Sequence, residues 1–313
     1  MKLDRKKDLL GLKDVTREEI ELILNTAIPM KDVIRRDIKK VPALRGKAMV
    51  TVFYEPSTRT RTSFEIAGKY LSADTVNLAV STSSVQKGES LRDTIKTIEV
   101  MGFDVMVMRH SMSGTPNYVA RNTSMRVINA GDGANEHPTQ ALLDMFSIRE
   151  QKGTLEGLKV AIVGDILHSR VARSNIYGLS KFGCEIRVVG PSTLMAPEIE
   201  KLGVKAYYNL KEALDGVDVI NLLRIQMERQ KKGLFPSLQE YSHYYMLTPD
   251  KLKKAKDDVL ILHPGPMNRG VEISSEIADG DHAVINEQVT NGVAVRMALL
   301  FLMMGGSKDE INN

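Results

Sequence analysis

The sequence predicts an α/β protein of two domains, each with a mostly parallel sheet flanked by helices, and an active site in the cleft between them. Short apolar runs alternate along the chain with segments of helical periodicity, a pattern typical of βα units. A chain of 313 residues is long for one hydrophobic core, so two domains of about 150 residues each are expected. The polar stretch Gln151-Lys152-Gly153 separates two βα series and predicts a domain junction.

The first half of the chain contains several strand and helix signals. The apolar run Met49–Tyr54 is typical of a buried strand, and Phe64–Leu71 after it has helical spacing. Residues 4 to 41 predict one or two surface helices, with Thr16-Arg17-Glu18-Glu19 close to a capping box. Further strands are expected at Thr75–Val80, Asp104–Met108 and Val127–Ala130, and helices at Leu91–Met101 and from Glu136 to about Glu150.

The second half repeats the pattern. Strands are expected at Lys159–Val163, Ile186–Val189, Val204–Tyr207, Val217–Leu223 and Val259–Leu262, with a helix ending near Phe182 and a last helix at roughly Glu287–Met304. We therefore expect a first domain of residues 1–140, a second of residues 141–286, and a C-terminal helix, 287–313, that packs back on the first.

Composition excludes several classes of protein. An apolar content of 42% with 26% charged residues is ordinary for a globular chain. The net charge of +4 is spread over interspersed acids and bases, which argues against nucleic acid and suits a small anionic substrate. The single cysteine, Cys184, excludes an internal disulfide and a multi-thiolate metal site. Met1–Asp4 lacks an apolar signal core, and Val293–Met304 is short and interrupted by Arg296, so no membrane association and a cytoplasmic location are expected.

The stretch Ser57-Thr58-Arg59-Thr60-Arg61 lies where the first strand gives way to a helix. Ser57 is a favourable N-cap residue, and Thr58 to Thr60 place amides and hydroxyls in the first turn. Arg59 and Arg61 add two cations where the helix dipole is already positive and acidic residues are preferred. An ordinary capped helix with solvated arginines is one interpretation, but the two arginines favour a site for a phosphate dianion.

Other polar residues follow predicted strands. Arg109-His110 ends one strand, and the carboxyl ends of parallel strands are where ligands bind in open α/β sheets. His137 precedes Pro138 at a helix start, where the dipole disfavours an imidazolium, so it is either a neutral hydrogen-bond donor to a carbonyl or a helix cap without chemistry. The loop Ser81–Ser90, with Ser83 and Lys87, is either a mobile anion lid or a solvated loop.

Residues of the second half complete the set. The turn Gly164-Asp165 follows a strand but has one of the three glycines of a dinucleotide fingerprint, which disfavours nucleotide binding. Arg224 and Gln226 lie on one side of an extended segment by alternation. His263-Pro264-Gly265-Pro266 predicts a rigid turn with free backbone carbonyls. With no defensible serine–histidine–acid order and no metal-ligand spacing, catalysis by positioning two anions and stabilising an oxyanion is the expectation.

Taken in chain order, these motifs resemble those of the transcarbamylases. The resemblance runs from about residue 50 to residue 270 and includes Ser57–Arg61, Ser83 with Lys87, Arg109-His110, His137-Pro138-Thr139-Gln140 and His263-Pro264-Gly265-Pro266. Within that family, ornithine-specific members typically carry cysteine in both later motifs, where this chain has Thr139 and Pro264. Arg224-Ile225-Gln226 also fits a dicarboxylate acceptor, because guanidinium groups bind carboxylates.

The resemblance implies an activity and a site. It implies transfer of the carbamoyl group of carbamoyl phosphate to the α-amino group of L-aspartate, an early step of pyrimidine biosynthesis, without metal or organic cofactor. Phosphate would bind Ser57, Thr58, Arg59, Thr60 and Arg109. Thr60, Arg109 and His137 would polarise the carbonyl, while Gln140 and the backbone at Gly265 and Pro266 would take the carbamoyl amino group. Arg170, Arg224 and Gln226 would bind aspartate, in a domain distinct from the carbamoyl-phosphate-binding domain.

The resemblance also implies partners, and the chain departs from the family pattern at one position. Ser83 and Lys87 would come from a neighbouring subunit of a homotrimer, with Lys87 among the catalytic residues, and regulatory or dihydroorotase subunits are open possibilities. Many bacterial members have leucine where Gly265 stands, so a backbone role is retained there but a side-chain packing role is not. The rival functions are transfer to ornithine or putrescine, a sensor of a phosphorylated metabolite, and a nicotinamide dehydrogenase using Gly164-Asp165.

Overall fold

The computed structural model describes residues 8–79, 89–225 and 237–305. The chain divides into two compact units. Unit 1 comprises Met1–Leu143 and Thr290–Asn313, and unit 2 comprises Asp144–Val289.

Unit 1 contains a four-stranded parallel sheet with helices before and after its strands. Its strands are β1 (Ala48–Phe53), β2 (Asp74–Ala79), β3 (Val105–His110) and β4 (Arg126–Asp132), in the order β2-β1-β3-β4. Its helices are α1 (Arg17–Arg35), α2 (Thr58–Tyr70), α3 (Leu91–Val100) and α4 (Thr115–Arg121). The helix α5 (Pro138–Lys152) begins in this unit.

Unit 2 contains a five-stranded parallel sheet. Its strands are β5 (Lys159–Val163), β6 (Glu185–Val189), β7 (Lys205–Tyr207), β8 (Val219–Leu222) and β9 (Leu260–Leu262), in the order β7-β6-β5-β8-β9. Its helices are α6 (Arg170–Ser180), α7 (Leu210–Ala213), α8 (Leu238–Tyr245), α9 (Pro249–Leu252) and α10 (Ser275–Ala278), and α11 (Ile285–Met304) begins in it.

Each unit has its own apolar core. In unit 1, side chains of β1, β3 and β4 such as Val50, Met106 and Val127 pack with Ile95 and Ile98 of α3. In unit 2, fully buried side chains of the sheet are joined by residues of α7 and of the segment before β9. Strands buried on both faces read as continuous apolar runs, which is why they were predictable from sequence.

Both sheets have a point where the strand order reverses. In unit 1 the chain moves from β1 to β2 on one side and to β3 and β4 on the other, so the reversal lies between β1 and β3. In unit 2 the reversal lies between β5 and β8 by the same reasoning. Connections leave in opposite directions at such a point and open a crevice at the carboxyl ends of the strands, where ligands of open α/β sheets bind.

The predicted fold class, two domains with parallel sheets flanked by helices, is confirmed. The capping box of α1 is present, with Thr16 Oγ1 accepting from the Glu19 amide and the Glu19 carboxylate accepting from the Thr16 amide. Residues 4 to 41 contribute one described helix rather than two. The helices α4 and α7 to α10 were not predicted. Among the described residues, none of the helices combines the length and the apolar character needed to cross a bilayer.

Candidate active site

The turn from β1 into α2 has the geometry expected of an anion site. Ser57 occupies the N-cap position with extended backbone, but its side chain makes no hydrogen bond to the helix. Its Oγ instead accepts a hydrogen bond of 3.1 Å from an Arg109 terminal nitrogen. Ser57 therefore has the predicted N-cap position, but its hydroxyl does not cap α2. The first turn of α2 contains no acidic residue, so the helix supplies no counter-charge of its own at its positive end.

The two arginines of α2 differ in their surroundings. Arg59 is exposed and, within the described part of the chain, has no ion-pair partner. Arg61 lies one helical turn before Glu65, with Nε 3.9 Å from Oε1. Thr60, between them, is buried. Arg59 is thus the cation of this turn that an incoming anion can engage without displacing a protein carboxylate.

Arg109 is held at the end of β3 by two side chains of the neighbouring strand end. Its Nε donates to Glu55 Oε2 at 3.1 Å, and both side chains are only 14% exposed. Together with the bond to Ser57, this fixes the guanidinium beside the start of α2. Glu55 was not predicted as a site residue from the sequence. Its signal was weak, because a single acid between a strand and a cationic turn is common on protein surfaces.

His110, the residue after Arg109, packs against Tyr54. Its ring lies 4.7 Å from that of Tyr54, and its Nδ1 accepts a 2.9 Å hydrogen bond from the Met112 amide. Burial lowers the pKa of His110, an effect opposed by the nearby Glu55 and Asp132 carboxylates. Because Nδ1 accepts from a backbone amide, the neutral imidazole is the form that fits this environment.

The turn between β4 and α5, which carries His137, is tied to the end of β3. The Gly133 amide donates to the His110 carbonyl at 3.0 Å, and the buried Asp132 carboxylate accepts from the Gly114 amide at 2.7 Å. The φ of +46° at Gly133 lies in the left-handed region, and a Cβ there would meet Ser113 Oγ at 2.4 Å. Glycine is therefore required at this position.

His137 lies immediately before α5 and is 5% exposed. Its carbonyl accepts from the Gln140 amide at 3.0 Å, which places both side chains at the start of the helix. The preceding residue, Glu136, is also buried, and its carboxylate accepts from the Leu12 amide at 2.7 Å. This bond anchors the turn to the N-terminal segment. Like Glu55, Glu136 was not predicted as a site residue from the sequence.

Unit 2 presents its polar residues at the reversal point between β5 and β8. Gly164 follows β5 with φ +132°, and a Cβ there would lie 3.0 Å from that of Leu223. The glycine thus allows two strand ends to approach closely. Ser169 Oγ caps α6 by accepting from the Ala172 amide, and Arg170 begins the helix with its side chain almost fully buried.

Arg224 follows β8 in a segment fixed by a buried carboxylate. Glu272 accepts from the Ile225 amide at 2.8 Å and from the Asn268 amide at 2.8 Å. Burial raises the pKa of Glu272, and these hydrogen bonds act in the opposite direction. Glu272 therefore joins the segment after β8 to the turn that follows β9.

The turn His263-Pro264-Gly265-Pro266 follows β9. The His263 amide donates to Gln288 Oε1 at 2.9 Å, and the Gly265 amide donates to His263 Nδ1 at 2.9 Å. Gly265 has a φ of +61°, which favours glycine at this position. The turn is thus held by Gln288 from outside and by the His263 side chain from within.

Each unit brings together its own share of the predicted site residues. In unit 1, Arg109 lies beside the start of α2, and the segment before α5 adjoins the end of β3. In unit 2, the segments of Arg170, Arg224 and His263–Pro266 follow the adjacent strands β5, β8 and β9. Ser83, Lys87 and Gln226 lie outside the described residues. Within those residues, no group of three or more His, Cys, Asp or Glu side chains is arranged to hold a metal ion.

Two family profiles match consecutive parts of the chain. One, described as the carbamoyl-P binding domain of aspartate/ornithine carbamoyltransferase, matches residues 7–150, and the other, described as its Asp/Orn binding domain, matches residues 156–303. The chain belongs to the aspartate/ornithine carbamoyltransferase family. The resemblance inferred from the sequence motifs is confirmed.

Individual members of the aspartate/ornithine carbamoyltransferase family are similar over almost the whole chain. The aspartate carbamoyltransferase catalytic subunit of Syntrophomonas wolfei is 83% identical over 311 residues, covering 99% of both chains. That of Moorella thermoacetica is 68% identical, covering 98% of this chain and all of the relative. The crystal structure of aspartate transcarbamoylase from Trypanosoma cruzi with carbamoyl phosphate and aspartate has a TM-score of 0.87 at 29% identity, covering 95% of this chain and 96% of that one.

Proposed function

We infer that this chain transfers the carbamoyl group of carbamoyl phosphate to the α-amino group of L-aspartate, giving N-carbamoyl-L-aspartate and phosphate for pyrimidine biosynthesis. The observation that carries this inference is the 83% identity, over 99% of both chains, to an aspartate carbamoyltransferase catalytic subunit. The similar Trypanosoma cruzi structure with both substrates bound supports the same substrate pair.

The two substrates are assigned to different domains. Residues 1–140, with the C-terminal segment 287–313, form the proposed carbamoyl-phosphate-binding domain, and residues 141–286 form the proposed aspartate-binding domain. Support comes from the two family profiles, whose descriptions name carbamoyl phosphate for residues 7–150 and aspartate or ornithine for residues 156–303.

The phosphate group is assigned to the start of α2. Arg59 is exposed there, and the Ser57 hydroxyl already binds Arg109, so one anion can engage an arginine from each of two strand ends. Guanidinium groups and helix-start amides are both favourable donors to phosphate oxygens. The proposed phosphate ligands are Ser57, Thr58, Arg59, Thr60 and Arg109, with Ser83 and Lys87 added from a neighbouring subunit.

The transfer step needs no protein nucleophile. The neutral α-amine of aspartate attacks the carbonyl carbon, a C–N bond forms, and the C–O bond to phosphate breaks. The amine proton leaves with the phosphate. Thr60, Arg109 and His137 donate to the carbonyl oxygen as negative charge develops, which lowers the barrier by several kcal/mol in a dry site. Gln140 and the carbonyls of Gly265 and Pro266 accept from the carbamoyl amino group.

The acceptor amino acid is assigned to unit 2. Arg170 and Arg224, with Gln226, bind the two carboxylates of aspartate, because bidentate guanidinium bonds match carboxylate geometry. A cationic acceptor such as ornithine would instead require acidic residues at these positions.

A colorimetric assay for carbamoyl-amino acids tests the reaction directly. Purified chain with carbamoyl phosphate should form product with L-aspartate but not with ornithine or putrescine. Product formed only with one of the amines would refute the aspartate assignment and favour the alternative acceptor. A chain without any transfer activity that still binds carbamoyl phosphate would instead be a sensor.

The proposed assembly is a cytoplasmic homotrimer with active sites shared between subunits. Because Lys87 would then serve a neighbour's site, inactive Arg59→Ala and Lys87→Ala chains should regain part of the activity when mixed as hybrids. Verified hybrid trimers without recovery would contradict shared sites. Native mass measurement of the purified chain and of the chain in lysate would reveal any regulatory or dihydroorotase partner.

A further inference from the structure

The carboxylate of Asp144 in α5 is fully buried and receives hydrogen bonds from three side-chain amides. Its Oδ2 accepts from Asn175 at 2.8 Å and from Asn221 at 3.3 Å, and its Oδ1 accepts from Gln288 at 2.8 Å. None of the four residues is more than 3% exposed. A buried carboxylate is costly unless it is hydrogen-bonded, so a carboxylate at this position needs a reason beyond packing.

Two of the three donors lie on elements that lead to the proposed aspartate-binding arginines. Asn175 lies in α6, which begins at Arg170. Asn221 lies in β8, three residues before Arg224. One oxygen of Asp144 therefore fixes the relative position of the two elements that carry these arginines.

The third donor leads to the turn proposed to bind the carbamoyl amino group. Gln288 donates to Asp144 Oδ1 and, through its own Oε1, accepts from the His263 amide at 2.9 Å. His263 Nδ1 then accepts from the Gly265 amide at 2.9 Å. The second oxygen of Asp144 is thus linked to this turn by three consecutive hydrogen bonds.

We propose that Asp144 is a positioning residue for carbamoyl transfer, with one oxygen aligning the aspartate-binding arginines and the other aligning, through Gln288, the carbamoyl-binding turn. The proposal rests on the function inferred above. A carboxylate is required because both of its sides accept hydrogen bonds, whereas an amide accepts on one side and donates on the other.

The bonds from Asp144 to Asn175 and Asn221 form one branch of the network, and the bonds through Gln288 to the turn form the other. The substitution Asp144→Asn affects these two branches differently. The new amide oxygen can keep the bonds from Asn175 and Asn221, but its NH₂ group then faces the NH₂ of Gln288. If Gln288 turns over to relieve this, it presents NH₂ to the His263 amide, so the bond to the turn is lost in either orientation of Gln288. Turning over the new amide instead would point its NH₂ at the NH₂ groups of Asn175 and Asn221, and Asn175 could turn to accept only by giving up its bond to the Val171 carbonyl. We expect the KM for carbamoyl phosphate to rise about tenfold or more, with the KM for aspartate changed less than about threefold.

Combining Asp144→Asn with Gln288→Glu should restore the broken branch. The new carboxylate at position 288 accepts from the new amide at position 144 and still accepts from the His263 amide. The hydrogen bonds to Asn175, Asn221 and the His263 amide are then retained, with the charge moved by one residue. We expect the KM for carbamoyl phosphate to return to within about threefold of the wild-type value.

The other branch is tested by Asn221→Ala, which should raise the KM for aspartate and leave that for carbamoyl phosphate unchanged. The matched control is Ile220→Ala, because Ile220 is fully buried beside Asn221 but points to the opposite face of the sheet. This control should lower the melting temperature without changing either KM. If Asp144→Asn does not fold, as judged by circular dichroism, Gln288→Met breaks the same branch and has the same expected KM pattern.

Equal losses for both substrates in Asp144→Asn, or no recovery on adding Gln288→Glu, would overturn the proposal and reduce Asp144 to a folding role. The wild-type enzyme is assayed in parallel. Wild-type chain that forms no carbamoyl-aspartate would refute the proposed function itself, whereas wild-type activity without branch-specific KM changes would refute only the positioning role.

Discussion

Replacing Gly11 with alanine should destabilise unit 1 and slow the transfer reaction. A Cβ at this position would lie 2.2 Å from Glu136 Oε1 and 2.7 Å from Glu136 Cδ. The carboxylate would have to move by roughly 1 Å to restore ordinary contact. Glu136 accepts from the Leu12 amide at 2.7 Å, and a shift of this size breaks that bond. Because Glu136 adjoins His137, we expect the turn proposed to polarise the carbonyl to shift with it.

The expected cost follows from these two changes. Losing a hydrogen bond to a buried carboxylate costs about 1.5–3 kcal/mol, and overpacking costs about 1–3 kcal/mol. The two effects share one side chain and are not additive, so a total of about 2–4 kcal/mol is expected. In a domain of this size that corresponds to a fall in melting temperature of roughly 5–15 °C. An unstrained glycine-to-alanine change would instead stabilise the protein by about 0.4–1 kcal/mol, so the sign of the change in unfolding free energy is informative by itself.

A double-mutant cycle attributes the loss to this contact. Gly11→Ala, Glu136→Ala and the double variant are compared by scanning calorimetry and by kcat with both substrates saturating. In the Glu136→Ala background the added methyl group has no carboxylate to meet, so Gly11→Ala should cost less than about 0.5 kcal/mol there. Equal costs in both backgrounds would refute the reasoning, because the loss would then arise from the backbone of the N-terminal segment.

Three further variants test separate parts of the site. Arg224→Ala should raise the KM for aspartate about 10–100-fold and the KM for carbamoyl phosphate far less, with partial retention in Arg224→Lys, whose point charge cannot bond bidentately; equal increases would contradict separate substrate sites. Arg59→Ala should reduce kcat at least about 10²-fold at an unchanged melting temperature, because Arg59 is exposed; a large loss of stability would instead indicate a structural role. The lowered pKa of His110 means that the unfolded chain takes up a proton more readily, so its contribution to stability is present above about pH 6.5 and is lost as the pH falls. His110→Asn should therefore reduce the difference between the melting temperatures at pH 7.5 and pH 5.5, and an unchanged difference would contradict this assignment.

Much of the fold could be predicted because its main signals are local. The strands β1, β3 and β5 are continuous apolar runs, and Thr16 and Ser90 form the helix caps that their sequence neighbours indicate. The helices α4 and α7 to α10 were missed because four to eight residues carry too little periodicity. For α4 the available sequence signals were Gly114, which adopts a left-handed backbone conformation at the N-cap, and the proline in the first turn.

The cations of the predicted site could be found from their positions near strand ends, but the acids that fix the segments around them could not. Glu55, Asp144 and Glu272 are selected by partners distant in sequence or on other elements, which a single sequence does not reveal. Ser57 illustrates the same limit. Its local pattern favours a helix cap, yet its hydroxyl binds Arg109, since a tertiary partner with a full charge competes successfully for one oxygen.

The carboxylate of Glu55 solves a problem that clustered arginines create. Before a dianion binds, guanidinium groups at a positive helix end repel one another, and flexible side chains would separate. A carboxylate such as Glu55, 3.1 Å from Arg109, holds the group in place in the absence of ligand. The same carboxylate is expected to weaken binding of the proposed phosphate, because it offsets part of the positive charge there. An acid at this position therefore favours a fixed geometry over the tightest ground-state binding, which is expected to raise kcat rather than to lower KM.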